Sequence, residues 1–258
     1  MAFGMSRFHG IGAALVVVGG LAGCAGESTG LGLGLVPEEQ VQQMGQQAWQ
    51  KIRSETPATR DAAMQARAER VSNRILAAAG ETPRAWDVVV FQGREANAFA
   101  LPGRHIGVYE GMMRFVRSDA ELASVIGHEI AHVTQNHSAE RVNTQVATQT
   151  GVQIAAAAAG AANMGSPEMI ASILGAGAQY GIAMPYGRNQ ELEADRLGLG
   201  YMARAGYNPE AAISLWQRME TGGGPEFLST HPGADRRIER IRAWLPEVMP
   251  VYRANARE

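Results

Sequence analysis

The sequence predicts an α+β fold, mostly helical, with a small β-sheet placed directly before one apolar helix. Three observations carry this. Apolar residues recur at spacings of three and four on both sides of residues 86–110, whereas that stretch runs in short apolar pieces bounded by turn residues. At 46% hydrophobic and 19% charged, the chain can also bury one sizeable core.

Residues 1–23 read as a signal peptide, with Arg7 as the positive start and Ile11 to Leu21 as a short apolar segment. That segment is shorter than the roughly 20 residues a bilayer span needs, which argues against an uncleaved anchor. It ends in Leu21-Ala22-Gly23-Cys24, a tetrapeptide that resembles the bacterial lipobox, in which the cysteine is lipidated and becomes the mature N-terminus. Cys24 is the sole cysteine, so no disulfide framework is expected. Ala25 in place of Asp favours the outer membrane under the enterobacterial sorting rule, on the periplasmic side. Residues 24–36 are the lipidated cysteine and a glycine-rich tether, and twelve such residues span about 20 Å. Losing Arg7 with the leader moves the formal charge from −2 to −3, which excludes a nucleic-acid binder.

The folded domain is expected over 37–250, followed by a tail at 251–258. Pro37 sits at a first helical position, and two amphipathic helices, about 37–54 and 58–79, lead to Gly80. Asp87 to Phe91 is a short strand. Asn97 to Gly111 reads as a hairpin turning at Pro102-Gly103. Ser118 to His137 follows as one helix, in which Ser118 caps and Glu121 reaches back to the capping residue's own amide. Between Val142 and Gly187 the sole charge is Glu168, and two buried or partner-facing helices, about 143–163 and 167–183, fit that composition. A further helix ends at Gly206, another runs from Asn208-Pro209 to Met219, and a last one from Ala234 to Leu245.

Chemistry concentrates on the capped apolar helix. His128 and His132 are four apart, about 40° around the helix and roughly 6 Å along it, so their rings can converge on one ion. Glu129 between them points to the flank, where a carboxylate can act on water beside that ion without ligating it. Histidines so spaced also occur as surface or core-edge residues. Here they adjoin a buried stripe of Leu122, Val125, Ile126, Ile130 and Val133, which favours a catalytic zinc site with three protein ligands. A metzincin would need glycine and histidine where Gln135 and Ser138 stand. Downstream, Glu191 and Asp195 share one helix face, so Glu191 can be the third ligand and Asp195 an acceptor for the outer nitrogen of a ligating histidine. The alternative is a solvated acidic face, which is the reading for Glu193. His105 and His137 have no partner in the sequence and read as structural.

HEIAHVTQNHSAERV followed by NQELEADRLGLGYMARAGYNPEAA, with NAFALPGRHIGVYEGMM before and FLSTHPGADRRIERI after, resembles the HtpX/BepA/LoiP-type zinc metallopeptidases, bacterial relatives of the CAAX prenyl protease. The resemblance runs from about Val36 to Leu245. It implies a zincin-like domain that binds one Zn2+ through His128, His132 and Glu191, with Glu129 as general base and Asp195 in support. It implies that His231 approaches the metal, either filling the fourth position or donating to the tetrahedral intermediate; without it, a histidine before a proline reads as a turn residue. In zinc peptidases of this general type an edge strand receives the substrate, so Asn97, Ala98 and Phe99 are candidate backbone contacts. The expected activity is endoproteolysis of misfolded or misassembled envelope proteins by a lipid-anchored enzyme. The alternative is a metal-binding chaperone or outer-membrane assembly factor with weak or latent protease activity.

Overall fold

The computed structural model describes residues 36–144, 186–223, 225–231 and 234–256. The expected signal peptide, Cys24, the tether and nearly all of the charge-poor stretch lie outside these residues. Helices α1 (Glu38–Glu55) and α2 (Ala62–Ala78) precede strands β1 (Asp87–Phe91), β2 (Ala98–Leu101) and β3 (His105–Tyr109). There follow α3 (Glu110–Phe115), α4 (Asp119–Thr134) and a helix α5 described over 137–144. The chain continues with α6 (Arg188–Arg204), α7 (Ala211–Arg218), α8 (Pro225–Thr230) and α9 (Ala234–Asn255). The fold is α+β and mostly helical, with its small sheet ahead of α4.

The sheet has the order β1-β3-β2, with β1 parallel and β2 antiparallel to β3. Alternation sorts its side chains onto two faces. Val88, Val90, Ala98, Ala100, Ile106 and Val108 join the main core beside α2 and α4, while Val89, Phe91, Phe99 and Leu101 pack with Trp49 of α1. The sheet is therefore a middle layer. Fully burying an aromatic such as Phe91 contributes on the order of 3 kcal/mol. His105 stacks on Trp49 at a centroid distance of 4.9 Å and bonds Gln46 at 2.8 Å, which accounts for its burial as a packing residue. Gly107 has to be glycine, because a Cβ there would meet the Phe99 ring at 2.2 Å.

Several boundaries move from their expected places. Pro37 is the N-cap of α1, not its first residue, and α2 starts at Ala62 because the Asp61 carboxylate accepts from the amides of Ala63 and Met64. α4 ends at Thr134, short of His137, since Asn136 takes a left-handed φ of 56° and turns the chain. Ser118 caps α4 as expected, but the Glu121 carboxylate reaches the Arg117 amide at 2.7 Å and pairs with Arg218 of α7 at 2.5 Å. The last helix passes Leu245 and continues through Pro246 and Pro250. The carbonyls those prolines leave without a helical partner belong to Arg242 and Pro246, both exposed residues that water can reach. Among the described residues no helix is long and apolar enough to cross a membrane.

Candidate metal centre

α4 and α6 cross where Gly127 meets Gly198. A Cβ on Gly198 would lie 3.0 Å from the His128 amide nitrogen, so side chains at this crossing would force the two helices apart. Their close approach brings Glu191, in the first turn of α6, against the histidines of α4. His128, His132, Glu191 and His231 are all buried, and one ligand atom from each lies within 4.8 Å of the others. The Nε2 atoms of His128 and His132 are 3.0 Å apart, and they stand 3.5 and 3.4 Å from the two Glu191 oxygens. His231 Nδ1 is 3.1 Å from His128 Nε2 and 3.0 Å from Glu191 Oε1.

These spacings fit a metal. Donors held 2.0–2.1 Å from a tetrahedral ion stand about 3.3 Å from one another, and imidazole with carboxylate suits a borderline divalent ion. Two buried oxygens in the cluster also have no hydrogen bond, Glu191 Oε2 and Glu129 Oε1. The first lies 2.7 Å from the Arg237 guanidinium and the second 3.2 Å from His231 Nε2, close enough for charge attraction but without hydrogen-bond alignment. Each oxygen thus has a charge beside it but keeps a lone pair free of any hydrogen bond, which a further cation could meet.

Asp195, one turn beyond Glu191, lies 3.0 Å from His128 Nδ1. Arg237 Nη2 lies 3.1 Å from the same nitrogen, so a carboxylate and a guanidinium both meet the outer edge of the ring while Nε2 faces the cluster. Arg237 holds the acidic side of the centre: its Nε reaches Asp195 at 2.7 Å, its guanidinium sits 2.7 Å from Glu191, and its plane stacks on Trp216 at 3.6 Å. Burial disfavours charge on Glu191 and Asp195, yet Arg237 beside both keeps Glu191 well below the usual carboxylate range and lowers Asp195 as well. Burial likewise opposes a charge on His231, but the Glu129 and Glu191 carboxylates outweigh it and push that imidazole up to about 9.

The structure brings together Glu129, His128, His132, Glu191, Asp195 and His231. Glu129 is buried, and its Oε2 accepts from the Ala100 amide at 3.2 Å, which ties it to β2. Among the described residues β2 is an edge strand. Tyr109 donates to the Asn97 carbonyl and Phe99 stands opposite Gly107, so Asn97 and Phe99 turn their backbones toward β3, while Ala98 and Ala100 face away. Three residues have roles that the sequence alone does not show. Arg237 falls on the apolar stripe of α9 with Ile241, and a charge in that position is the signal that could have found it. His137, expected to be structural, sits 3.0 Å from His132, and Glu193, expected on a solvated face, sits 3.3 Å from His137.

The profile of peptidase family M48 matches residues 60–245. The mitochondrial metalloendopeptidase OMA1 of Schizosaccharomyces pombe is 36% identical over 183 residues, covering 69% of this chain and 52% of that protein. The beta-barrel assembly-enhancing protease of Yersinia pestis is 28% identical over 228 residues, 85% of this chain and 47% of the relative. Its Escherichia coli K12 counterpart is 26% identical over 220 residues, 82% and 45% respectively. The chain thus spans about half the length of these curated relatives. With HExxH and a downstream glutamate folded into one buried donor set and the profile matched across more than half of the sequence, the chain belongs to the zincin-like metallopeptidases of family M48.

Proposed function

We propose that this protein is a zinc endopeptidase of the bacterial envelope, anchored to the outer membrane by lipid on Cys24, that cleaves misfolded or misassembled envelope proteins. The observation that carries the catalytic reading is Glu129, buried beside the donor cluster with one oxygen tied to β2 and the other without a hydrogen bond. A binding site alone would not need it. Zinc, when bound, supplies the Lewis acidity that polarises a scissile carbonyl and makes water acidic enough to attack. Glu129 takes the proton as water adds to the carbonyl carbon, then delivers it to the amine as the carbon–nitrogen bond breaks. Asp195 and Arg237 hold His128 and Glu191 in place meanwhile. A substrate strand laid along β2 would donate to the carbonyls of Ala98 and Ala100, whose amides are held by Asn97 Oδ1 and Glu129; alternate N-methylation of a peptide substrate tests that seat, and loss of turnover without alternation argues against it. The name of the enterobacterial relatives supports the envelope role, whereas the OMA1 proteins are mitochondrial.

Elemental analysis of the purified chain is expected to give one zinc, with occupancy lost in His128→Ala, His132→Ala and Glu191→Ala. Full zinc in Glu191→Ala would mean that another side chain completes the site. The anchor has its own test: Cys24→Ala is expected to abolish labelling by a fatty-acid probe, and label persisting in that cysteine-free chain refutes it.

His231 supports a latent resting state. Its Nδ1 lies within the ligand ring and its Nε2 lies 3.2 Å from Glu129, so it fills the space that substrate and base must share. If about a tenth of the molecules have it withdrawn, His231→Ala raises basal proteolysis about tenfold with zinc unchanged. A large fall in kcat with zinc retained would select a transition-state donor instead, and no change would leave His231 a turn residue.

A further inference from the structure

We propose that His137 and Glu193 form a positioning chain that fixes the tautomer of His132. His132 Nδ1 faces His137 Nδ1 at 3.0 Å, and His137 Nε2 faces Glu193 Oε2 at 3.3 Å. When two ring nitrogens meet away from the donor cluster, with no cation to bridge them, one must donate and the other accept. Glu193 decides which. Its carboxylate only accepts, so a neutral His137 carries its proton on Nε2 and offers a bare Nδ1; His132 Nδ1 must then carry the proton and donate. That leaves His132 Nε2 unprotonated, and it is this atom that lies 3.0 Å from His128 Nε2 and 3.4 Å from Glu191. The opposite assignment places a bare His137 nitrogen against a carboxylate and a proton of His132 inside the donor cluster.

Local structure builds this chain. The left-handed turn at Asn136 folds α5 back so that His137 lands on the ring five residues before it. Tyr186 stacks on His132 at 3.7 Å, and its hydroxyl meets Ser138 at 3.2 Å, so the ring plane is held from the same helix start. Each α4 histidine thereby has its own outer carboxylate from α6: Asp195 acts on His128 directly, and Glu193 acts on His132 through His137. Glu193 is 40% exposed while His137 is 1% exposed, so the far end of the chain can be altered at the surface without opening the core.

The proposal rests on the reading of the centre as a zinc site, and its test separates the two. Zinc affinity of the full chain is measured by competition with a chromophoric chelator. His137→Ala is expected to weaken binding about 10- to 100-fold, the range typical of outer partners of a ligating histidine, and Glu193→Ala several-fold. Because Glu193 acts only through His137, its substitution should have no further effect in the His137→Ala background. His137→Asn, whose amide oxygen can still accept from His132 Nδ1, is expected to recover most of the affinity and to be insensitive to Glu193→Ala. Nitrogen NMR of the zinc-loaded chain should show His132 protonated at Nδ1. Should Glu193→Ala and His137→Asn both bind zinc within twofold of wild type while His137→Ala merely lowers the melting temperature, His137 is a packing residue and the proposal fails. A wild-type chain with no measurable zinc affinity would sink the zinc reading itself.

Discussion

Glu129→Gln is expected to lower turnover of an unfolded substrate such as casein at least about a hundredfold while zinc content stays at the wild-type level, because a positioned general base contributes 10²- to 10⁴-fold. The substitution changes little else. Glutamine matches glutamate in shape, and its amide oxygen can still accept from the Ala100 amide, so the link to β2 survives. What disappears is the acceptor able to take and return a proton. Glu129 is 2% exposed, so no neighbouring water can readily replace it as a relay. Turnover, metal content and melting temperature measured on one preparation separate chemistry from folding. Wild-type turnover in Glu129→Gln would overturn the peptidase mechanism, and loss of zinc would show that the carboxylate holds the metal.

Much of this centre was legible because its information is local. The spacing of His128 and His132 follows from helical geometry, and the apolar stripe of α4 announces which face is buried. Glu191 and Asp195 were readable for the same reason, one turn apart on a second helix. What the sequence did not disclose depends on contacts between distant segments. Nothing in VVV or HIGVY states that β1 lies parallel to β3, since parallel pairing is settled by the crossover between the strands. Glu121 was expected to close a capping box, but Arg218, 97 positions away, arrives to claim its carboxylate, and that carboxylate reaches the amide one residue before the cap. His137 lacked a partner in the sequence because its partner depends on the backbone angle of Asn136. The expected helix stops at Leu245, whereas α9 continues through Pro246 and Pro250, whose lost bonds and ring clashes fall on exposed residues.

Arg237→Met is expected to destabilise the metal-free chain by about 3–5 kcal/mol, the cost of removing one partner from a buried ion pair. Three carboxylates meet near this side chain, those of Glu129, Glu191 and Asp195, each 5% exposed or less. Arg237 faces Asp195 with two nitrogens and Glu191 with a third, and Trp216 covers its plane, so methionine can fill the space but leaves Asp195 without its guanidinium partner and Glu191 with His231 alone. The midpoint of denaturant unfolding should fall at constant slope, and the melting temperature by roughly 10 °C for a domain of this size. Arg237→Lys keeps the charge but not the fork, so its loss should be smaller than that of methionine. Two comparisons distinguish charge compensation from packing. Saturating zinc should restore part of the lost stability, since a bound cation faces Glu191 from the other side and stabilises only the folded chain. Combining Arg237→Met with Asp195→Asn should cost less than the sum of the single changes, because the two groups neutralise each other. An unfolding free energy within about 1 kcal/mol of wild type, or strict additivity with Asp195→Asn, would show that α9 docks through its apolar stripe alone and that the guanidinium does not hold the third ligand in place.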